Sequence, residues 1–187
     1  MWWIGFENGD RIPILTYVNL GIHEFGHFVT YAFSDLVTAL TGSIAQVAVP
    51  SALAVYFFLF RDDWLAAGLC LAWGATSALE VAIYVADAPV QELPLIGGSH
   101  DWAFILGPAG YDSIDNAGAI AATIRDVAAV AIFTGLALCL AAPFRGASRH
   151  RAQAEAAASA SRATPVSSAS AASATSGSAP RSASSPK

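Results

Sequence analysis

Four apolar runs alternate with short polar or glycine- and proline-rich stretches along the chain. They cover residues 12–33, 44–60, 64–86 and 127–142, and an alanine-rich stretch from 117 leads into the last one. A helix needs about 20 apolar residues to cross the hydrocarbon core of a bilayer. The pattern predicts an all-α membrane protein with about four transmembrane helices.

The longest connection, residues 88–116, has a different pattern. Six prolines and glycines from 89 to 108 preclude one regular helix, yet apolar residues recur throughout the segment. Irregular backbone at membrane depth is tolerated where protein or a cavity covers it. We therefore expect a folded or re-entrant segment between spans three and four.

Polar residues within two of the runs recur at spacings of three or four, so they form stripes on helical faces. Such stripes at membrane depth face protein or water rather than lipid. The first run carries Thr16, Asn19, His23, His27 and Thr30. The third run carries Ser77, Glu80, Tyr84 and Asp87.

Composition supports the membrane prediction and divides the chain. Charged residues make up 12% of it, against about 25% in soluble domains. From 146 to 187, 26 of 42 residues are alanine or serine and none is aromatic. We expect a transmembrane domain over 1–144, and a disordered basic tail over 145–187 that has a short helical start near 152–160.

Charge predicts the topology. Up to Phe144 there are three basic and thirteen acidic residues, and from Arg145 onward six basic and one acidic. Basic residues that flank spans stay in the cytoplasm. Four spans then place both termini in the cytoplasm of a multi-pass protein, typical of a bacterial-type inner or plasma membrane. No pattern predicts nucleic-acid binding, and the oligomeric state is left open.

The chemistry is concentrated in His23-Glu24-Phe25-Gly26-His27, an H-E-x-x-H sequence inside the first run. On a helix the two histidines project from one face and can share a metal ion. Glu24 between them can act as general base toward a water molecule. Two histidines and a glutamate would otherwise be costly at membrane depth, which favours a metal-binding role for the 1–144 domain.

A catalytic zinc ion takes three protein ligands and keeps one position open. The residue order favours His100 as the third ligand, because Gly97 and Gly98 before it allow close approach of the backbone. Asp101 next to it is the first alternative. The other candidates, as third ligand or as supporting residues, are Glu80, Asp87, Tyr84 and Gln46.

These residues predict a zinc-dependent integral-membrane peptidase that hydrolyses peptide bonds in or beside the membrane, with Zn²⁺ as cofactor and Glu24 as base. Its partners would be a membrane-protein or peptide substrate and the lipid bilayer. The same residues would serve a zinc-dependent membrane amidase or lipid hydrolase. A non-catalytic metal-binding scaffold is the third hypothesis.

The H-E-x-x-H sequence in an apolar run, about four spans and a later Gly-Gly element resemble the site-two protease class of intramembrane zinc metalloproteases. The resemblance implies peptide hydrolysis within or beside the membrane. It also implies a third ligand from an aspartate in a Leu-Asp-Gly element on a later span. The nearest match, residues 95–98, lacks that aspartate, and Asp101 follows it instead.

Overall fold

A computed structural model describes residues 13–93, 95 and 99–163. Of these residues 84% are helical and none lies in a strand, which confirms the all-α prediction for this part of the chain. The helices are α1 (Pro13–Thr30), α2 (Asp35–Phe60), α3 (Trp64–Asp87), α4 (Asp101–Leu106), a 3₁₀ turn (Ile114–Asn116) and α5 (Ala117–Ala163).

Three helices are long and apolar enough to cross a membrane: α2, α3 and the stretch Ile114–Arg162, which covers α5 except for its last residue. Helix α1 is not among them, because two histidines, a glutamate and an asparagine lower its hydropathy. The described residues therefore support a membrane protein with three candidate spans. A fourth span over 12–33 remains a prediction.

Side chains that precede two helices set where those helices begin. The hydroxyl of Ser34 accepts a hydrogen bond from the amide of Val37 at the start of α2. The carboxylate of Asp63 accepts one from the amide of Ala66 at the start of α3. Each bond satisfies an amide that has no partner within its helix, and short turns then pair α1 with α2 and α2 with α3.

Small residues lie where the helices approach most closely. A Cβ atom at Gly26 would lie 2.7 Å from the carbonyl oxygen of Thr41, so α1 and α2 are in backbone contact there. A Cβ atom at Gly68 would lie 2.5 Å from the carbonyl oxygen of Gly135, which brings α3 and α5 together. Close packing over small residues is the main attraction between helices in lipid.

The connection after α3 folds back onto the bundle. The carboxylate of Asp87 accepts hydrogen bonds from the amides of Glu92 and Leu93, at 3.0 and 3.1 Å, and closes the turn. Ile105 and Leu106 of α4 join a buried cluster with residues of α2, α3 and α5. The described residues of this segment fold onto the helices. Re-entry into a membrane remains a prediction, and Gly97 and Gly98 lie outside the described residues.

The chain divides into two compact units, 1–145 and 146–187. In the second unit the described residues are helical to Ala163, and the side chains of 151–162 are exposed. The predicted helical start lies within this stretch. From residue 164 onward, the predicted disordered tail lies outside the described part of the chain.

Candidate metal centre

Helix α1 presents its two histidines side by side. The rings of His23 and His27 are four residues apart, and their centroids are 4.6 Å apart at an interplanar angle of 83°. His23 is buried and His27 is half-buried, with both rings turned toward α2 rather than toward the outer face of α1. The helical spacing alone accounts for this pairing.

Asp101, the first residue of α4, completes a group of three. Its Oδ2 lies 3.1 Å from Nε2 of His23 and 3.2 Å from Nε2 of His27. The indole of Trp102 donates a hydrogen bond to Ser43 of α2 at 3.0 Å, and this bond holds α4 in position. His23, His27 and Asp101 form a group that could hold a metal ion.

Hydrogen bonds on the far side of each ring determine which nitrogen carries the proton. Nδ1 of His27 lies 2.7 Å from the carbonyl oxygen of Thr38, which can only accept, so this nitrogen donates. Nδ1 of His23 lies 2.9 Å from Oε1 of Gln46, whose amide nitrogen donates to the Ser77 carbonyl. Both rings in their neutral form therefore direct an Nε2 lone pair at Asp101.

Two lone pairs and a carboxylate oxygen at these distances repel one another unless a positive charge lies among them. The charge is supplied either by a metal cation or by a second proton on the rings. Ligand atoms 2.0–2.1 Å from a tetrahedral zinc ion are about 3.3 Å apart. The observed 3.1 and 3.2 Å are close to that separation, so the three atoms could hold a metal ion of this size.

Helix α2 forms the wall of the centre at Gly42. A Cβ atom there would lie 2.6 Å from Nε2 of His27 and 2.7 Å from Nε2 of His23. A side chain would therefore occupy the space that faces the ligand atoms. Gly42 was not among the residues predicted from the sequence, because it meets the histidines only when α1 packs against α2.

His100, which the residue order favours as third ligand, makes its contacts away from the two histidines of α1. Its Nδ1 accepts a hydrogen bond from the amide of Ala103 and so caps α4. Its Nε2 then carries the proton and lies 3.2 Å from the carboxylate of Asp87. Both ring nitrogens are engaged away from His23 and His27, and the third position next to them is taken by Asp101.

The remaining candidates lie at different places. Glu80 accepts hydrogen bonds from Thr16 at 2.5 Å and Asn19 at 2.7 Å, and Asn19 in turn accepts one from Trp73. This network joins α1 to α3 but contributes no atom to the three-residue group. Gln46 supports His23 from behind, so it is a supporting residue rather than a ligand.

Glu24 and Tyr84 lie next to the centre. Glu24 is exposed on α1, directly after His23. The hydroxyl oxygen of Tyr84 accepts a hydrogen bond from the backbone amide of Asp101 at 3.1 Å. A carboxylate and a hydroxyl group therefore accompany the three candidate ligands.

No protein-family model matches this chain, and no match is found to a curated protein or to a solved structure.

Proposed function

We propose that the chain is a zinc-dependent integral-membrane peptidase whose ligands are His23, His27 and Asp101. The observation that supports the proposal is the convergence of two Nε2 lone pairs on one carboxylate oxygen, with both Nδ1 protons already donated elsewhere. A metal cation bound between these three atoms would bring together two nitrogen ligands and one oxygen ligand. Two histidines and one carboxylate also form the ligand set of several zinc hydrolases.

Bound zinc would act as a Lewis acid that activates water and polarises a carbonyl group. Three protein ligands leave the fourth position for water or substrate. Glu24 follows a ligand directly in sequence and is exposed, so its carboxylate is accessible to an attacking water molecule. In the proposed reaction Glu24 takes the proton of that water and returns it to the leaving amine.

The resemblance to the site-two protease class favours peptide hydrolysis over the other reactions. In that class the third ligand is an aspartate from a later part of the chain, and here Asp101 follows the Gly-Gly element. A membrane amidase acting on lipids would use the same ligands, so the substrate must be determined by assay.

The test begins with metal content. The full chain is purified in dodecylmaltoside, and zinc, iron and manganese are measured by mass spectrometry in the parent, Asp101→Ala and Glu24→Gln. We expect about one zinc per chain in the parent and in Glu24→Gln, and little in Asp101→Ala.

Turnover is then measured on a quenched-fluorescent peptide with an apolar segment, and on an N-acyl lipid, both in the same micelles. Zinc-dependent peptide cleavage that is lost in Glu24→Gln supports the peptidase. If only the lipid amide is cleaved, the amidase hypothesis replaces the peptidase hypothesis. If the zinc-loaded parent cleaves neither substrate and behaves like Glu24→Gln, the non-catalytic scaffold becomes the remaining hypothesis.

A further inference from the structure

Tyr84 is held in a fixed position beside the metal centre by contacts on three sides. Its ring stacks on His100, with centroids 4.2 Å apart and an interplanar angle of 22°. Its ring also meets His23 edge-on at 6.3 Å. Its hydroxyl oxygen accepts the amide hydrogen of Asp101 at 3.1 Å. The phenol is therefore positioned against two of the three candidate ligands.

The hydroxyl group of Tyr84 has a proton to donate. A phenol oxygen can accept one hydrogen bond and donate another, and the Asp101 amide uses only its accepting capacity. Among the described residues no acceptor is found for the proton. Other donors beside the centre are engaged: the amide of Gln46 bonds to Ser77, and the indole of Trp102 bonds to Ser43.

We propose that Tyr84 is a catalytic residue that donates a hydrogen bond to the oxyanion formed when water attacks an amide carbonyl. This role rests on the proposed hydrolase function. Glu24 handles the proton, while Tyr84 stabilises the charge that develops on the carbonyl oxygen. A donor fixed in advance is effective because it needs no reorganisation when the charge appears. The stack on His100 and the bond to Asp101 provide that fixation.

The experiment compares Tyr84→Phe with the parent in the full-length, zinc-loaded protein, again on the quenched-fluorescent peptide in micelles. Removal of one oxyanion donor lowers kcat about 10²- to 10³-fold. We expect that loss in kcat, with KM and zinc affinity near the parent values. Tyr56→Phe is the matched control, since Tyr56 lies toward the far end of α2 against Phe57 and Phe60, and we expect it to keep the parent kcat.

A second substitution separates donation from positioning. 4-Aminophenylalanine at position 84 keeps a donor on a ring of similar size, so it should recover much of the kcat that phenylalanine loses. It also tests the donor if Tyr84→Phe fails to fold.

Parental kcat in Tyr84→Phe, or activity that excess zinc restores, would overturn the catalytic role and leave the metallohydrolase intact. The same conclusion follows if the amino variant is no better than phenylalanine. Absence of zinc-dependent turnover in the parent would overturn the hydrolase proposal and the role of Tyr84 together.

Discussion

The candidate ligands depend on neighbouring groups that bind no metal themselves. Gln46 and the Thr38 carbonyl orient the two imidazoles, and Gly42 leaves the space in front of them open. Each of these groups belongs to α2. A single substitution on this helix should therefore alter metal binding without removing a ligand.

Gly42→Ala should abolish or strongly weaken zinc binding, because its methyl group would lie 2.6–2.7 Å from both Nε2 atoms. Zinc affinity is measured by competition with a chelator. Gly21→Ala is the control, since a Cβ there meets nothing within 4 Å, and it should stabilise α1 by roughly 0.5–1 kcal/mol. Equal zinc affinity in Gly42→Ala and Gly21→Ala would contradict the claim that a side chain at position 42 blocks the space in front of the two histidines.

Gln46→Leu should lower zinc affinity about 10- to 100-fold, the usual cost of losing a group that orients a metal-binding histidine. Ser77→Ala is the matched control. It removes the 2.9 Å hydrogen bond that the Ser77 hydroxyl donates to the backbone carbonyl of Gln46, which joins α2 to α3. The side chain of Gln46 keeps its hydrogen bond to His23. If both variants bind zinc equally, Gln46 serves only helix packing.

At the scale of elements, the short helix α4 determines which residue meets the histidines. His100 stands before its first turn and Asp101 within it, so the two adjacent side chains diverge. His100 turns to Asp87 and closes the loop after α3, while Asp101 turns to α1. The cap and the candidate ligand are thus different residues with separable effects.

Asp101→Asn should reduce zinc affinity, because it replaces a charged ligand with a neutral one. His100→Asn should retain zinc, because asparagine is a good helix N-cap and keeps the first turn of α4. Both are measured by zinc titration at one detergent concentration. The opposite order of affinities would return the third position to His100.

The histidine pair follows from periodicity, which acts over whole turns and is visible in α1 and α3, and α2 follows from its long apolar run. The third candidate ligand does not. Helix α4 has six residues, too few for a periodic pattern, and His100 and Asp101 are both common metal ligands. The choice between them depends on Asp87 and Trp102, whose contacts join parts of the chain far apart in sequence. Gly42 likewise acquires its role only when α1 packs against α2.

At the scale of the molecule, the ends of the first unit differ in charge. Arg145 stacks over Trp64 at 4.3 Å and lies 3.4 Å from Asp62, so it joins Arg61 at the turn between α2 and α3. The candidate metal centre and its acidic neighbours Asp87 and Glu92 lie where α3 ends. By the positive-inside rule the first end should be cytoplasmic and the metal centre should lie toward the opposite face.

Cysteine labelling tests this orientation. In a background without Cys70 and Cys139, a single cysteine is placed at Tyr111 or at Ala147, both exposed. A membrane-impermeant maleimide should label the first in intact cells, and the second only after permeabilisation. The reverse pattern would invert the topology.

The sequence separation within the metal centre has a consequence for biosynthesis. His23 and Asp101 are 78 residues apart, whereas Gln46 and Thr38 follow the histidines closely. At about 5–20 residues per second, Asp101 is synthesised roughly 4–16 seconds after His23. During that interval the nascent chain carries only two of the three candidate ligands. The complete set is present only once α3 has been synthesised, while the residues of α5 are still to follow.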